Sequence, residues 1–435
     1  MAIRPSRSRD IRSSLLAGRS ADRRSVVCEL RETASVKRER YDGYRSFQYL
    51  EAGVDYRPFE LAKEVGRVPS RRVEVSAADE ARVQRLLETN IVVSLHDHAT
   101  VAPANVAEMT EYRRQGREWT GYEGLSVSRL DCVFDALMGG TATITSRAGW
   151  KWDDVVYDLG MRMSDIAHSK MVMQAGSVED INAAKAGGRI ALVPCLETAT
   201  PIENELDRLD VLYGLGVRSV GIAYSEGNAL GSGLREERDA GLTEFGRLAV
   251  RRMNRLGIAI DISHAGDQTS LDTIERSERP VFVTHAGARS LWNTKRMKPD
   301  KILRACAERG GVVGISAAAH TTLTEKHPLH SLESVMEHFE YVARLVGIDH
   351  VAFGPDTFFG DHVGLHRFFA AQFSLGASRG DRTIQEVEYV DGIENPGESF
   401  PNITRWLVRH GYTDEDIGKV ISGNVLGALA AIWPS

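Results

Sequence analysis

Short apolar runs recur along this chain, and five of them lead directly into a side chain able to bind a metal ion. IVVSL leads into His96, with His98 two places on; IALVPCL precedes Glu197, IAIDIS precedes His264, VFVT precedes His285 and VAFGP precedes Asp356. Runs of this length, dense in Val, Ile, Leu and Ala, read as buried strands. Eight can be counted, at 91–95, 141–146, 189–196, 217–223, 257–263, 280–284, 311–316 and 350–354. Helix-like segments lie between several of them, as a parallel sheet demands, because parallel strands are joined by long crossovers. Eight strands alternating with helices, with reactive side chains at the strand C-termini, predict an α/β fold, a (β/α)8 TIM barrel.

Local signals place the helices. Ser76 is positioned to cap a helix carrying Val83, Leu86 and Leu87, and the first strand follows. After Thr243, the apolar residues Phe245, Leu248, Ala249, Met253 and Leu256 recur at helical spacing, and Gly257 stands where a left-handed C-terminal residue is expected. Ser331 begins a similar segment that ends at Gly347, and Thr413 with Asp416 marks a closing helix. The connections at 97–140 and 357–400 are too long for simple turns and read as lids or interface elements. Residues 1–75 lack a sustained period and form an N-terminal extension to a barrel domain over 76–435. Its aromatic residues Tyr41, Tyr44, Phe47 and Tyr49 predict packing against a neighbouring subunit, and hence a homo-oligomer.

Composition excludes several classes of function. With 435 residues and 42% hydrophobic composition the chain can fill a large core. A formal charge of −6 gives no global field to attract nucleic acid or an anionic membrane, so small molecules are the expected partners. The arginines at 4, 7, 9, 12, 19, 23 and 24 have no interleaved aromatic residues to stack bases, and read as a solvated or subunit-clasping arm. Cys28, Cys132, Cys195 and Cys306 are scattered and form no Cys-x-x-Cys pair, which points to a reducing compartment. No apolar stretch reaches the roughly 18 to 20 residues needed to span a bilayer, and no signal-peptide pattern opens the chain, so a cytoplasmic location is expected.

Side chains alternate faces along a strand, so His96 and His98 reach one metal from the same side while Asp97 points away. Imidazoles and carboxylates are ligands that zinc and similar divalent ions accept. Glu197 can bridge two ions, His264 and His285 can hold the second, and Asp356 can ligate the first and exchange protons with a bound water. A single histidine at a strand end is usually structural. Ligand types at five separate strand ends of one barrel are not explained by packing alone. The histidines at 320, 327, 330, 338 and 362 fall in loops or on helices and read as structural, with His362 and His366 close to the mouth.

The same residues carry a resemblance. LHDHA, LET at 196–198, GLTEFGRLAVRRMNRLGIAIDISHAG, VTHAGARSLWNTKRMKPD, HVAFGPDT and NPGESFPNITRWLVRHGYTDEDIGKVISGN are similar to motifs of the renal (membrane) dipeptidase family, peptidase family M19 of the amidohydrolase superfamily. The resemblance implies His96, His98 and Asp356 on one ion, Glu197 bridging, and His264 with His285 on the other. It also implies that Arg296 grips a substrate carboxylate, a task suited to a guanidinium fork. Three features depart from the family pattern. His98 stands where the family has an aspartate, Tyr224 in AYSEGN stands where it has a histidine, and the N-terminal extension is additional.

The expected activity is that of a binuclear metallohydrolase, zinc-dependent, cleaving dipeptides or related N-acyl amino acids by attack of a metal-bridging hydroxide. Asp356 shuttles the proton, Tyr224 or Asn228 steadies the oxyanion, and Arg296 anchors the free carboxylate. His98 and Tyr224 also support an alternative, a metal-dependent C–N hydrolase acting on a non-peptide amide, a ring amide or an amine.

Overall fold

Eight parallel strands pair in chain order: β1 (Val93–Val101), β2 (Cys132–Leu137), β3 (Ile190–Leu196), β4 (Ser219–Gly221), β5 (Ala259–Asp261), β6 (Val281–Ala286), β7 (Val312–Ile315) and β8 (Val351–Phe353). The chain leaving β8 returns to β1 and closes the sheet on itself. Asp356 N donates to His96 O at 2.9 Å, His98 N donates to Thr357 O at 2.9 Å, and Phe358–Phe359 runs parallel to β1. The expected barrel is therefore present. This computed structural model describes residues 41–137, 151–373 and 384–434, all within the compact unit Lys37–Ser435.

The helices begin and end where the capping chemistry places them. Ser76 accepts from Asp79 N at the start of Ala77–Thr89, and Thr243 accepts from Gly246 N at the start of Glu244–Leu256. That second helix ends at Gly257 with φ 78°, a left-handed turn that delivers the chain straight into β5. Ser331 and Ser334 form a reciprocal capping box before Leu332–Val346. Inside the barrel, backbone approaches are tight enough to require glycine. A Cβ on Gly221 would lie 1.9 Å from the carbonyl oxygen of Glu197.

The expected strand at 141–146 lies outside the described residues, and the second strand is Cys132–Leu137. Its pattern is disguised by Asp135, a carboxylate at the strand centre that is fully buried. Arg162, from the helix Trp152–His168, neutralises it with Nε at 2.9 Å and Nη2 at 3.2 Å from its two oxygens. Ala99 N also donates to Asp135, which ties β2 to the end of β1.

Two of the extension's aromatic residues are covered within the same chain. Tyr44 and Phe47 are buried. Asp165 collects the hydroxyls of Tyr44 and Ser46 and the Phe47 amide, each at 2.8 Å, together with the Tyr122 hydroxyl at 3.0 Å. Further on, the extension meets the end of β1 through Ala62 N to Ala102 O and Ala104 N to Glu60 O. It is fastened to the C-terminal region by Arg67 on Glu394 at 2.6 Å and by Val73 N on Asn402 Oδ1 at 3.0 Å. A carboxylate with several donors holds an otherwise irregular segment, which hydrophobic periodicity cannot reveal. Among the described residues no helix is long and apolar enough to cross a membrane.

Candidate metal centre

The potential ligands converge at the C-terminal end of the barrel. From β1, His96 and His98 project to one side. Asp97 turns the other way, accepting from Thr357 N at 2.8 Å, Thr357 Oγ1 at 2.7 Å and Ser94 Oγ at 2.5 Å. Those bonds fix the segment carrying Asp356, whose φ of 63° lies in the left-handed region that non-glycine residues seldom occupy. His366 completes the restraint, donating from Nε2 to Asp356 O at 3.2 Å. Sequence placed His366 only near the mouth, because its role comes from the helix His362–Phe373 folding back over the strand end.

One ligand atom each from His96, His98, Glu197 and Asp356 lies within 4.8 Å of the others, and all four residues are buried. His96 Nε2 is 2.9 Å and His98 Nε2 3.1 Å from Glu197 Oε1, and His98 Nε2 is also 3.1 Å from Asp356 Oδ1. His264 and His285 face each other at 3.0 Å between their Nε2 atoms. His264 Nε2 lies 3.9 Å from Glu197 Oε2, and His285 Nε2 lies 3.8 Å from Asp356 Oδ2. All six sequence-predicted ligands are thus in one cluster, with Glu197 between the two histidine pairs.

The donor chemistry fits a cation. His98 Nδ1 faces Ala136 O at 2.7 Å and must donate to it, so a neutral ring presents the Nε2 lone pair to two carboxylate oxygens. Such an arrangement of acceptors is stable only around positive charge, carried by a proton or by a metal. Among the described residues, Glu197 Oε2 and His264 Nδ1 are buried without a hydrogen-bond partner. In the metal-free state burial disfavours the charged imidazole of His98, but its hydrogen bonds to Asp356 and Glu197 prevail and push its pKa up to about 10. Burial works against ionised Asp356, yet the His98 hydrogen bond and the nearby imidazoles hold it at about 2. Glu197 is likewise held well below the usual carboxylate range: its burial is outweighed by His96 and His98. Burial keeps His264 and His285 neutral, the form that ligates.

The predicted substrate residues divide. Tyr224 is buried with its ring stacked 4.1 Å from that of His264. Burial, reinforced by Glu197 and Asp356, pushes its phenol well above the ordinary range and keeps it a donor. Arg296 is buried beside the cluster with Nη1 donating to His285 O at 2.8 Å. Its Nη2 has no hydrogen-bond partner among the described residues and lies 3.6 Å from Asp356 Oδ2. One N–H of the fork is therefore committed to the His285 carbonyl, and Nη2 is the terminal nitrogen turned toward the cluster. Asn228 is also corrected. Its Nδ2 donates to Ile222 O at 2.8 Å and Thr200 Oγ1 at 3.2 Å, while Oδ1 accepts from Leu230 N at 2.8 Å and Gly231 N at 3.3 Å. A side chain so engaged shapes its own loop, in the manner of an Asx turn.

Residues 80–365 match the membrane dipeptidase family, peptidase family M19. Dipeptidase tcpJ of Claviceps purpurea is 26% identical over 278 residues, covering 63% of this chain and 58% of its own length. Dipeptidase 3 of Homo sapiens is 24% identical over 306 residues, covering 68% and 57% respectively. The chain thus spans little more than half the length of these curated dipeptidases. An uncharacterized protein in the pqqA 5′ region of Klebsiella pneumoniae is 30% identical, with 62% of this chain and 92% of that protein covered. Among solved structures, an amidohydrolase from Pseudomonas aeruginosa superposes with a TM-score of 0.66 at 27% identity, over 81% of this chain and 99% of that one. A metallopeptidase from Rhodobacter sphaeroides, liganded with a phosphinate mimic of L-Ala-D-Ala, shares the fold with a TM-score of 0.61 at 20% identity, over 79% and 100%.

Proposed function

The chain belongs to the membrane dipeptidase family, peptidase family M19, and from that footing we propose that it hydrolyses the amide bond of dipeptides or related N-acyl amino acids at a binuclear metal centre. The observation that carries this reading is the convergence of four imidazoles and two carboxylates at the barrel mouth, with buried Arg296 beside them. His96, His98 and Asp356 would hold one ion and His264 with His285 the other, Glu197 lying between. Two divalent ions, zinc as the first choice, supply an acidified water and a Lewis acid for the carbonyl when bound.

The protein's own groups account for the remaining steps. Arg296 Nη2 receives the substrate's free carboxylate and orients the scissile bond. Asp356, ionised at neutral pH, accepts a proton as water adds to the carbonyl carbon, and returns it to the leaving nitrogen as the C–N bond breaks. The Tyr224 hydroxyl donates to the carbonyl oxygen as it gains negative charge. The dry surroundings strengthen each of these interactions. His98 and Tyr224, two of the three departures from the family pattern, favour the second reading, a C–N hydrolase of a non-peptide amide, ring amide or amine.

The division into an extension over 1–75 and a hydrolase domain over 76–435 belongs to this proposal. So do assembly as a homo-oligomer, supported by Tyr49 and Val54 standing exposed on the extension, and a cytoplasmic location, supported by the free buried thiols of Cys132, Cys195 and Cys306. Elemental analysis of metal-loaded protein should give close to two ions per chain, and a panel of dipeptides should be cleaved. One ion at saturation would exclude the binuclear centre. Turnover of neutral amides with no dipeptide cleaved would select the second reading.

A further inference from the structure

Behind the metal ligands lies a buried file of side chains that the mechanism above does not use: Asp261 at the end of β5, Ser263 just beyond it, and Thr284 on β6 immediately before His285. From this file we infer that Asp261 sets the tautomer of His285 through a one-way chain of hydrogen bonds over Ser263 and Thr284, making all three positioning residues for that ligand.

The direction follows from counting protons. Ser263 Oγ lies 2.6 Å from Asp261 Oδ1, an acceptor, so the single hydroxyl proton of Ser263 is committed there. Ser263 Oγ is 3.1 Å from Thr284 Oγ1, and that bond then has Thr284 as its donor. The single proton of Thr284 being used in this way, its contact of 2.7 Å with His285 Nδ1 has the imidazole donating. His285 therefore carries its proton on Nδ1 and presents a bare Nε2 to His264 and Asp356, the form that a metal requires. The relay is also braced. Asp261 Oδ1 accepts from Ser263 N at 2.9 Å and Thr284 N at 3.0 Å, and Ser263 Oγ accepts from His285 N at 3.1 Å. Asp261 is 4% exposed, Thr284 2%, and Ser263 and His285 not at all, so water does not offer an alternative partner. His98 reaches the same end differently, donating directly to the Ala136 carbonyl.

The inference shares the metal centre of the proposed function, but its first readout needs neither metal nor substrate. In metal-free protein labelled with 15N-histidine, NMR should show His285 protonated on Nδ1 and bare on Nε2. In Ser263→Ala the Thr284 proton is released to turn toward the ring, so the tautomer should reverse. In Thr284→Val, competition with a chelator should show zinc held about 10- to 100-fold more weakly, and Thr284→Ser should restore both the tautomer and the affinity. A proton on Nε2 in the wild type, an unchanged tautomer in Ser263→Ala, or wild-type zinc retention in a folded Thr284→Val would each overturn the relay. If Thr284→Val does not fold, Ser263→Ala decides alone. A protein with the relay intact that cleaves no dipeptide would refute the activity and leave this inference standing.

Discussion

Single residues at this site are defined by which of their atoms remain uncommitted. Arg296 uses Nη1 on the His285 carbonyl and turns Nη2 toward the cluster, so its removal both loosens His285 and deletes a charge. Arg296→Ala should lower kcat/KM for carboxylated dipeptides, mainly through KM, by the value of one charge-assisted hydrogen bond, about 1.5–3 kcal/mol. Amidated analogues should lose far less. Steady-state kinetics on matched pairs would reveal equal losses if the arginine only braces His285. At this scale the clustering of the six candidate side chains was legible in sequence, because ligand chemistry depends on residue type and strand ends recur at readable places. Asn228 was not, since nothing in AYSEGN tells whether an amide turns inward to substrate or back onto its own loop. Thr284 and Ser263 were equally hidden: a hydroxyl's role in the chain comes from which neighbour takes its proton.

Elements were legible where hydrophobic period and capping agree, as in Glu244–Leu256, bounded by Thr243 and Gly257. They were not where a strand carries a buried ion. VFDAL reads poorly as an interior strand until Arg162 is known to reach Asp135 from a helix that begins fifteen residues past the strand's end, at Trp152 against Leu137. That pair also disciplines the active site, because Asp135 accepts the amide of Ala99, next to His98. Arg162→Met should therefore leave an uncompensated buried carboxylate and destabilise the fold by about 3–5 kcal/mol. Denaturant unfolding measures it, and replacing Asp135 by Asn in the same chain should recover part of the loss. A loss within experimental error in the single variant would mean that the Ala99 amide suffices to hold Asp135. The extension illustrates the converse limit. Its aromatic residues announced that something must cover them, but only the structure identifies Asp165 and the barrel's own helix as the cover.

For the whole molecule, the converging side chains couple folding to pH and, where they hold a metal as proposed, to metal. His98 has a folded pKa of about 10 against an ordinary 6.5, so its contribution to the metal-free fold is complete below pH 6.5 and is lost as pH rises through 10. Asp356 has the opposite sign: held at about 2 against 3.8, it stabilises above pH 3.8 and ceases to do so as pH falls through 2. A metal ion held by His98 would displace its proton, because the Nε2 that faces Glu197 and Asp356 is the atom that would ligate. Between pH 6.5 and 10 the metal-free protein should thus lose stability while the metal-loaded protein does not, and each pH unit should strengthen zinc binding by up to about tenfold, or about 1.4 kcal/mol. The increment in Tm produced by saturating zinc should accordingly grow across that range, and calorimetry in buffers of different ionisation enthalpy should detect close to one proton released per chain near neutrality. A Tm increment that stays flat from pH 6.5 to 10, with no proton release, would place the metal away from His98 and would dissolve the arrangement in which the barrel's first strand supplies two ligands to one ion.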